Sequence, residues 1–319
     1  MKSVTTALLV AMVCAPALAQ DDPKPAPAPA GADAKTDVKT DAKKERNVDP
    51  AATKALERYV AMLHLPASAG LKAVAGKGSL DLKGTPVSVD PSWSVEKGFD
   101  VAISVGSLSD EIKADLTDKG VPAEAVTSDL LVTMIKQQIA FAGLNAAFEA
   151  PGKNWAHFDI SSKQDGGDQV VQLTPFDSQA DADSRTYVFG KDGLLKSSSM
   201  APSANTPQGQ QMKSMGITFS STSTFEKKGE RYVLASRTLA VMGQESETKF
   251  SYYDVGGGVY LIEAAVIAGA DGEQTIKFHD YTVDGKLVES TKAAAEKPKS
   301  DEKPAPTPPA APAPKDSPK

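Results

Sequence analysis

Apolar residues recur at helical spacing in the first half of the chain. Asp49-Pro50, a helix cap followed by a favourable first helical residue, begins the first such stretch, and Pro66 ends it. A short helix is predicted over residues 69–75 and a polar helix over 108–119. The longest helix comes next, and one apolar face runs along about four of its turns. That face consists of Val126, Leu130, Leu131, Met134, Ile135, Ile139 and Ala142.

Apolar and polar residues alternate from Trp155 onward, which is typical of strands. Short Gly-rich turns separate the strands, for example Asp165-Gly166-Gly167-Asp168, and such turns join antiparallel neighbours. The polar stretch 201–214 contains two prolines and a glycine and is predicted to be a long loop. Strands are predicted at 79–82 and within 87–105, and then at 156–161, 169–174, 186–189, 194–198, 217–225, 232–242, 247–255, 259–267 and 274–282.

The alternation gives most of the late strands one apolar and one polar side, whereas strands 232–242 and 259–267 are apolar on both sides. Phe250 and Tyr252, for instance, alternate with Lys249 and Ser251. A sheet with this pattern is covered on one face only. The sequence therefore predicts an α+β fold, with a large curved antiparallel sheet and the helices before residue 150 covering one of its faces.

The two ends of the chain differ from its middle in composition. Residues 1–19 combine a positively charged start, an apolar run and Ala17-Leu18-Ala19, which predicts a signal peptide and export to the periplasm or cell envelope of a bacterium. Residues 20–48 are rich in Pro, Ala, Lys and Asp, and residues 288–319 in Pro, Ala and Lys, so both are predicted to be disordered. The remainder, 49–287, is predicted to form a single domain.

Charge and cysteine content limit the partners. The chain has 35 basic and 41 acidic residues, a formal net charge of −6, which argues against nucleic-acid binding. Its single cysteine, Cys14, lies in the predicted signal peptide, so the mature chain would contain no disulfide. Val13 before it fits lipidation poorly, yet cleavage by signal peptidase I and lipidation at Cys14 both stay open. No apolar stretch is long enough to predict an integral membrane span.

Residues that commonly carry catalysis or bind metals occur without the spacing that chemistry requires. His64, His157 and His279 lie far apart in sequence, and none has a metal-ligand partner at the usual distance. Neither a Gly-x-Ser-x-Gly nucleophile motif nor a phosphate-binding loop is present, and the carboxylates are scattered. The sequence therefore predicts no enzyme, no metal and no cofactor.

Five short fragments are informative about a relationship: Gly70–Val74, Gly76–Leu80, Val170–Pro175, Tyr187–Leu194 and Thr275–Tyr281. These fragments resemble bacterial outer-membrane lipoprotein-sorting proteins, and the resemblance extends over about 51–287. The resemblance implies an incomplete antiparallel barrel with helices as a lid over an apolar cavity. In that family the cavity receives the acyl chains of lipoproteins or, in looser relatives, other lipids.

The predicted function is a non-enzymatic binding protein of the cell envelope that holds an apolar ligand between sheet and helices. The ligand would be a lipid or the acyl chain of a lipoprotein. The candidate cavity liners are Leu130, Met134, Phe219, Phe225, Phe250, Tyr252, Ile276 and Phe278. The alternative is a solid-cored structural or interaction module, in which these residues fill a dry core and the Pro-rich arms contact an envelope protein or the cell wall.

Overall fold

The computed structural model describes residues 45–149, 155–176, 182–269 and 272–288. The predicted signal peptide, the predicted linker up to residue 44 and the predicted tail from residue 289 lie outside these residues.

One large antiparallel sheet dominates the described residues. Its strands lie in the order β3-β2-β1-β12-β11-β10-β9-β8-β7-β6-β5-β4, with the short β13 beside β12, and the sheet does not close into a barrel. This confirms the predicted fold class. The strands are β1 Ala73–Leu82, β2 Thr85–Ser94, β3 Gly98–Val105, β4 Phe158–Asp165, β5 Asp168–Pro175, β6 Ser184–Phe189, β7 Leu195–Ala201, β8 Phe219–Lys228, β9 Arg231–Val241, β10 Gln244–Asp254, β11 Tyr260–Gly269, β12 Gly272–Val283 and β13 Lys286–Leu287.

Four α-helices occur in the described residues, and each begins at a capping residue whose side chain accepts a hydrogen bond from the first turn. The Thr127 hydroxyl accepts from Leu130 N–H at 3.2 Å, and the chain leaves that helix through Gly143 in the left-handed conformation. The helices are α1 Pro50–Met62, α2 Asp110–Asp118, α3 Ser128–Ala142 and α4 Pro207–Ser214. Single 3₁₀ turns lie at Ala67–Ala69, Ala123–Ala125, Leu144–Ala147 and Trp155–His157.

Two local predictions are wrong. Residues 69–75 do not form a helix, because β1 begins at Ala73 and contains both Gly76 and Gly78. At those positions the aromatic rings of β12 lie where a Cβ atom would otherwise be, so the strand needs glycine there. The predicted loop 201–214 contains α4, which starts as the first helix does, with a capping residue, Thr206, followed by proline.

The helices cover one face of the sheet, which we call the inner face, and they divide its core into three apolar clusters. The first lies between α2, α3 and strands β1, β2 and β9–β12. The second lies between α1 and strands β4–β7, and Phe225 packs against both. The third is small and contains Met212 of α4, Ile217 and Phe219. Helix α3 contacts β3 at one edge of the sheet and also β9 and β10. The part of the sheet between them, in the order β3-β2-β1-β12-β11-β10-β9, therefore curves around this helix.

The sheet splits locally between β9 and β10. The two strands pair only as far as Ser236 and Lys249, and residues 231–235 lie beyond this pairing. The chain after α1 fills the split, where His64 N–H donates to the Tyr232 carbonyl at 2.7 Å. The Leu234 carbonyl of β9 also lies beyond the pairing with β10. It accepts a hydrogen bond from the Tyr252 hydroxyl at 2.8 Å instead.

Candidate functional site

The structure places the eight predicted cavity liners in two different kinds of position. Phe219, Phe250, Ile276 and Phe278 are buried, and Leu130, Met134, Phe225 and Tyr252 are half-buried. Six of the eight belong to or pack against the first cluster, under α3. Phe219 belongs to the third cluster, and Leu130 packs against neither of these.

The buried liners form a packed core in this conformation. Phe278 is only 1% exposed, and its ring lies where a Cβ atom of Gly78 would otherwise be. Phe250 and Ile276 pack in the same cluster. Burial raises the pKa of Tyr252 well above its usual value, as expected for a hydroxyl that donates inside the fold. These residues therefore hold the sheet and helices together, and any accessible surface for a ligand lies elsewhere on the inner face.

Such a surface lies over β7–β10, where the helices cover the inner face only in part. Cross-strand pairing puts Ser223 and Arg237 on one row of this face, and Leu239 and Ser246 on the next row. Their side chains are neither buried nor fully exposed. We call this surface the inner floor, and it comprises Met200, Ser223, Arg237, Leu239, Val241 and Ser246.

Arg237 is the only charged member of the inner floor. Its guanidinium lies against Gly143, at the C-terminal end of α3, where a Cβ atom would collide with it. Tyr59 of α1 and Tyr187 of β6 lie close enough to interact with its charge. Burial lowers the pKa of Arg237, and no carboxylate among the described residues opposes this effect. Within the described chain the guanidinium makes no hydrogen bond and no ion pair.

The apolar part of the inner floor continues onto α3 and α4. Phe141 of α3 stacks on Phe219 with 6.4 Å between the ring centroids and 12° between the planes. Met200 and Val241 pack against the same small cluster. Leu239, in contrast, belongs to none of the three buried clusters and packs against none of them. The inner floor thus presents apolar surface that the described residues do not fully bury.

A groove of about 490 Å³ begins at the end of β7 where Met200 lies. Its walls come from the segment after β7, from Lys213 of α4 and from Ile217 before β8. This volume lies in the range of small-molecule sites. A second concave region of about 190 Å³ lies at the turns beside α1 and is lined by Arg58 and Lys191 among others. None of the eight predicted liners contributes to either region.

The described histidines and carboxylates are the types of side chain that bind metal ions. Among the described residues there is no group of three or more His, Cys, Asp and Glu side chains that could hold a metal ion. His64 has a structural contact instead, since its Nε2 accepts a hydrogen bond from Tyr260 N–H at 2.9 Å. None of the described helices combines the length and apolar character needed to cross a membrane.

Sequence reasoning missed Arg237 and the inner floor. Arg237 lies in a strand predicted to be apolar on both sides, and its basic character was the available signal. Its neighbours Tyr59, Gly143 and Tyr187 lie far from it in sequence, so only the assembled fold brings them together.

No protein-family profile matches the chain, and no curated protein matches it in sequence. Two solved structures align with most of its length. One is a putative outer membrane lipoprotein-sorting protein domain from Vibrio parahaemolyticus, with 10% identity and a TM-score of 0.26, covering 75% of this chain and 94% of that one. The other is a DUF1329 family protein from Desulfovibrio piger, with 9% identity and a TM-score of 0.25, covering 73% and 93%. The first agrees with the resemblance seen in the sequence, and at these values neither bears on what the chain binds.

Proposed function

We propose that this chain is a non-enzymatic binding protein of the bacterial cell envelope that holds an apolar ligand between its sheet and its helices. The ligand is a lipid or the acyl chain of a lipoprotein. The observation that supports this most is the inner floor, where Leu239, Met200 and Val241 remain partly accessible on a face that is otherwise covered. The proposal includes no reaction, because the inner floor gathers apolar side chains, hydroxyls and one cation.

Burial of apolar surface would drive the binding. Each square ångström of apolar area removed from water contributes about 25 cal/mol. Leu239 is the best placed residue for this purpose, because it packs against none of the buried clusters and is free to contact a ligand. The half-buried flank of α3, with Leu130, Met134 and Phe141, extends the same apolar surface. An acyl chain lying beside α3 would cover both Leu239 and this flank of the helix.

Native mass spectrometry of the full chain, exported by a bacterial host and purified without detergent, tests the proposal. We expect a bound mass that extracts as lipid, or uptake of palmitic acid and hexadecanol when these are added. Leu239→Asn should weaken uptake about tenfold or more, since burying one leucine contributes about 1.5–3 kcal/mol. Val95→Asn is the matched control, because Val95 is an exposed apolar residue between β2 and β3. A bare polypeptide mass with every lipid would contradict the proposal.

A second candidate function follows from the packed core. Phe250, Ile276 and Phe278 fill the space under α3, as they would in a solid structural or interaction module. In that case the Pro-rich segments outside the described residues would contact an envelope protein or the cell wall. Deleting residues 289–319 separates the two functions. Lost envelope localisation or partner capture with intact lipid uptake would favour the module.

A further inference from the structure

We propose that the ligand of the inner floor is an amphiphile with an anionic head, and that Arg237 binds this head. The head is a carboxylate or a phosphate at the end of a single acyl chain. This inference rests on the proposed function and specifies its ligand. It rests in turn on the charge of Arg237, on its neighbours and on the apolar surface further along the same strands.

Among the described residues, no carboxylate pairs with the charge of Arg237. A guanidinium stays protonated under all ordinary conditions, and a charge removed from water is costly unless it is paired. Arg237 is only partly accessible, and within the described residues it has no carboxylate partner. An anion that reaches it is held more strongly than in water, because the local dielectric constant is lower. The planar guanidinium also matches the oxygens of a carboxylate or phosphate in pairs.

The surroundings of Arg237 suit an anion. Ser223 and Thr248 pair with it on the neighbouring strands and therefore lie on either side of it on the inner face. Tyr59 and Tyr187 lie within reach of its charge, and burial raises the pKa of Tyr59, so that its hydroxyl keeps its proton. Hydroxyl groups donate hydrogen bonds to anions.

The apolar chain has a place on the same face. Phe219 lies four residues from Ser223 along β8, which corresponds to about 13 Å in a strand. Around Phe219 lie Met200, Val241 and Phe141, and Met200 also lines the groove of about 490 Å³. Leu239 occupies the row between Arg237 and Val241. When the anionic head group binds at Arg237, the acyl chain of the ligand thus lies over apolar surface that continues to the groove.

Arg237 also has a structural explanation. Its guanidinium lies at the C-terminal end of α3, where a positive charge compensates the partial negative charge of the helix. This role predicts that Arg237 affects stability equally with or without a ligand. The proposed role predicts that Arg237 discriminates between ligands that differ only in their heads.

Binding titrations with the full chain test the inference, with palmitate, palmitoyl lysophosphatidic acid and neutral hexadecanol as probes. We expect at least one anionic probe to bind about tenfold or more tightly than hexadecanol, and the preferred probe identifies the head as carboxylate or phosphate. Arg237→Gln should remove this preference, so that the anionic probes bind the variant no more tightly than hexadecanol does. Arg231→Gln is the matched control, because it removes the same charge from the same strand, where Arg231 donates to the Ser68 carbonyl. It should bind all three probes as the unmodified chain does.

The possible outcomes separate this inference from the proposed function. Binding of all three probes with no effect of Arg237→Gln on the anion preference would overturn the inference and leave the proposed function standing. Failure of every probe to bind the unmodified chain would overturn both. If inorganic phosphate binds as tightly as palmitoyl lysophosphatidic acid, the inference that the ligand is an amphiphile would also be overturned. If Arg237→Gln fails to fold, Arg237→Met replaces the unpaired charge by an apolar side chain of similar length, which folds more readily and should equally lose the preference.

Discussion

At the scale of single residues, His64 couples the folding of the chain to pH. Its Nε2 accepts a hydrogen bond from Tyr260 N–H, and an acceptor nitrogen must be unprotonated. Burial, assisted by the charge of Arg231, lowers the pKa of His64 below the ordinary histidine value of about 6.5. The unfolded chain therefore takes up a proton near pH 6.5 that the folded chain does not. The free energy of unfolding should fall as the pH drops below about 6.5, and this fall should end below the pKa of the folded state.

His64→Gln tests this coupling, because glutamine can accept the same hydrogen bond and does not titrate. Urea unfolding between pH 7.5 and 5 should show a weaker loss of stability on acidification in the variant than in the unmodified chain. The two slopes should differ by at most one proton per molecule, and they should converge above pH 7. Parallel slopes throughout would mean that His64 titrates alike in the folded and unfolded chain.

At the scale of elements, β1 depends on two glycines that carry no turn. A Cβ atom at Gly78 would collide with the Val89 carbonyl and lie 2.9 Å from ring atoms of Phe278. Gly78→Ala should therefore lower the free energy of unfolding by about 1–3 kcal/mol, as overpacking does. Gly269→Ala is the matched control in β11, because among the described residues its Cβ would meet only the Ser246 hydroxyl, at 3.7 Å. It should change stability by less than about 0.5 kcal/mol. Equal effects of the two substitutions would contradict the close packing of β12 on β1.

The elements also show how far the sequence could predict the structure. Alternation correctly assigned Phe250, Ile276 and Phe278 to one face, because that period depends only on neighbouring residues. It could not predict whether those side chains enclose a cavity, because packing depends on glycines such as Gly78 in a distant strand. Arg237 was missed for the same reason, since the residues around it come from α1, β6 and the end of α3.

At the scale of the whole molecule, the sheet is organised around two covers and the surface between them. One part curves around α3 and is filled with large apolar side chains, and another lies under α1. The inner floor lies where these two covers leave the sheet partly accessible. Under the proposed function, a ligand would bind beside α3 without displacing the helix. The other possibility is the one expected from the sequence, in which the helices form a lid over a cavity that holds the ligand.

A reversible cross-link between α3 and the sheet distinguishes these two modes of binding. Gln138 of α3 donates from its amide to the side-chain oxygen of Gln274 in β12 at 2.9 Å. We therefore choose Gln138→Cys with Gln274→Cys, joined by a short linker that a reductant cleaves. The experiment uses a chain that starts at residue 20 and has no other cysteine.

The cross-linked chain should bind palmitate within about threefold of its reduced form, because the inner floor stays accessible when α3 cannot move. The two single-cysteine variants, treated with the same linker, control for modification of either side chain alone. Binding that disappears on cross-linking and returns on reduction would place the ligand beneath α3, among Phe250, Ile276 and Phe278. In that case the packed core seen here would be the closed state of a cavity that opens when α3 lifts.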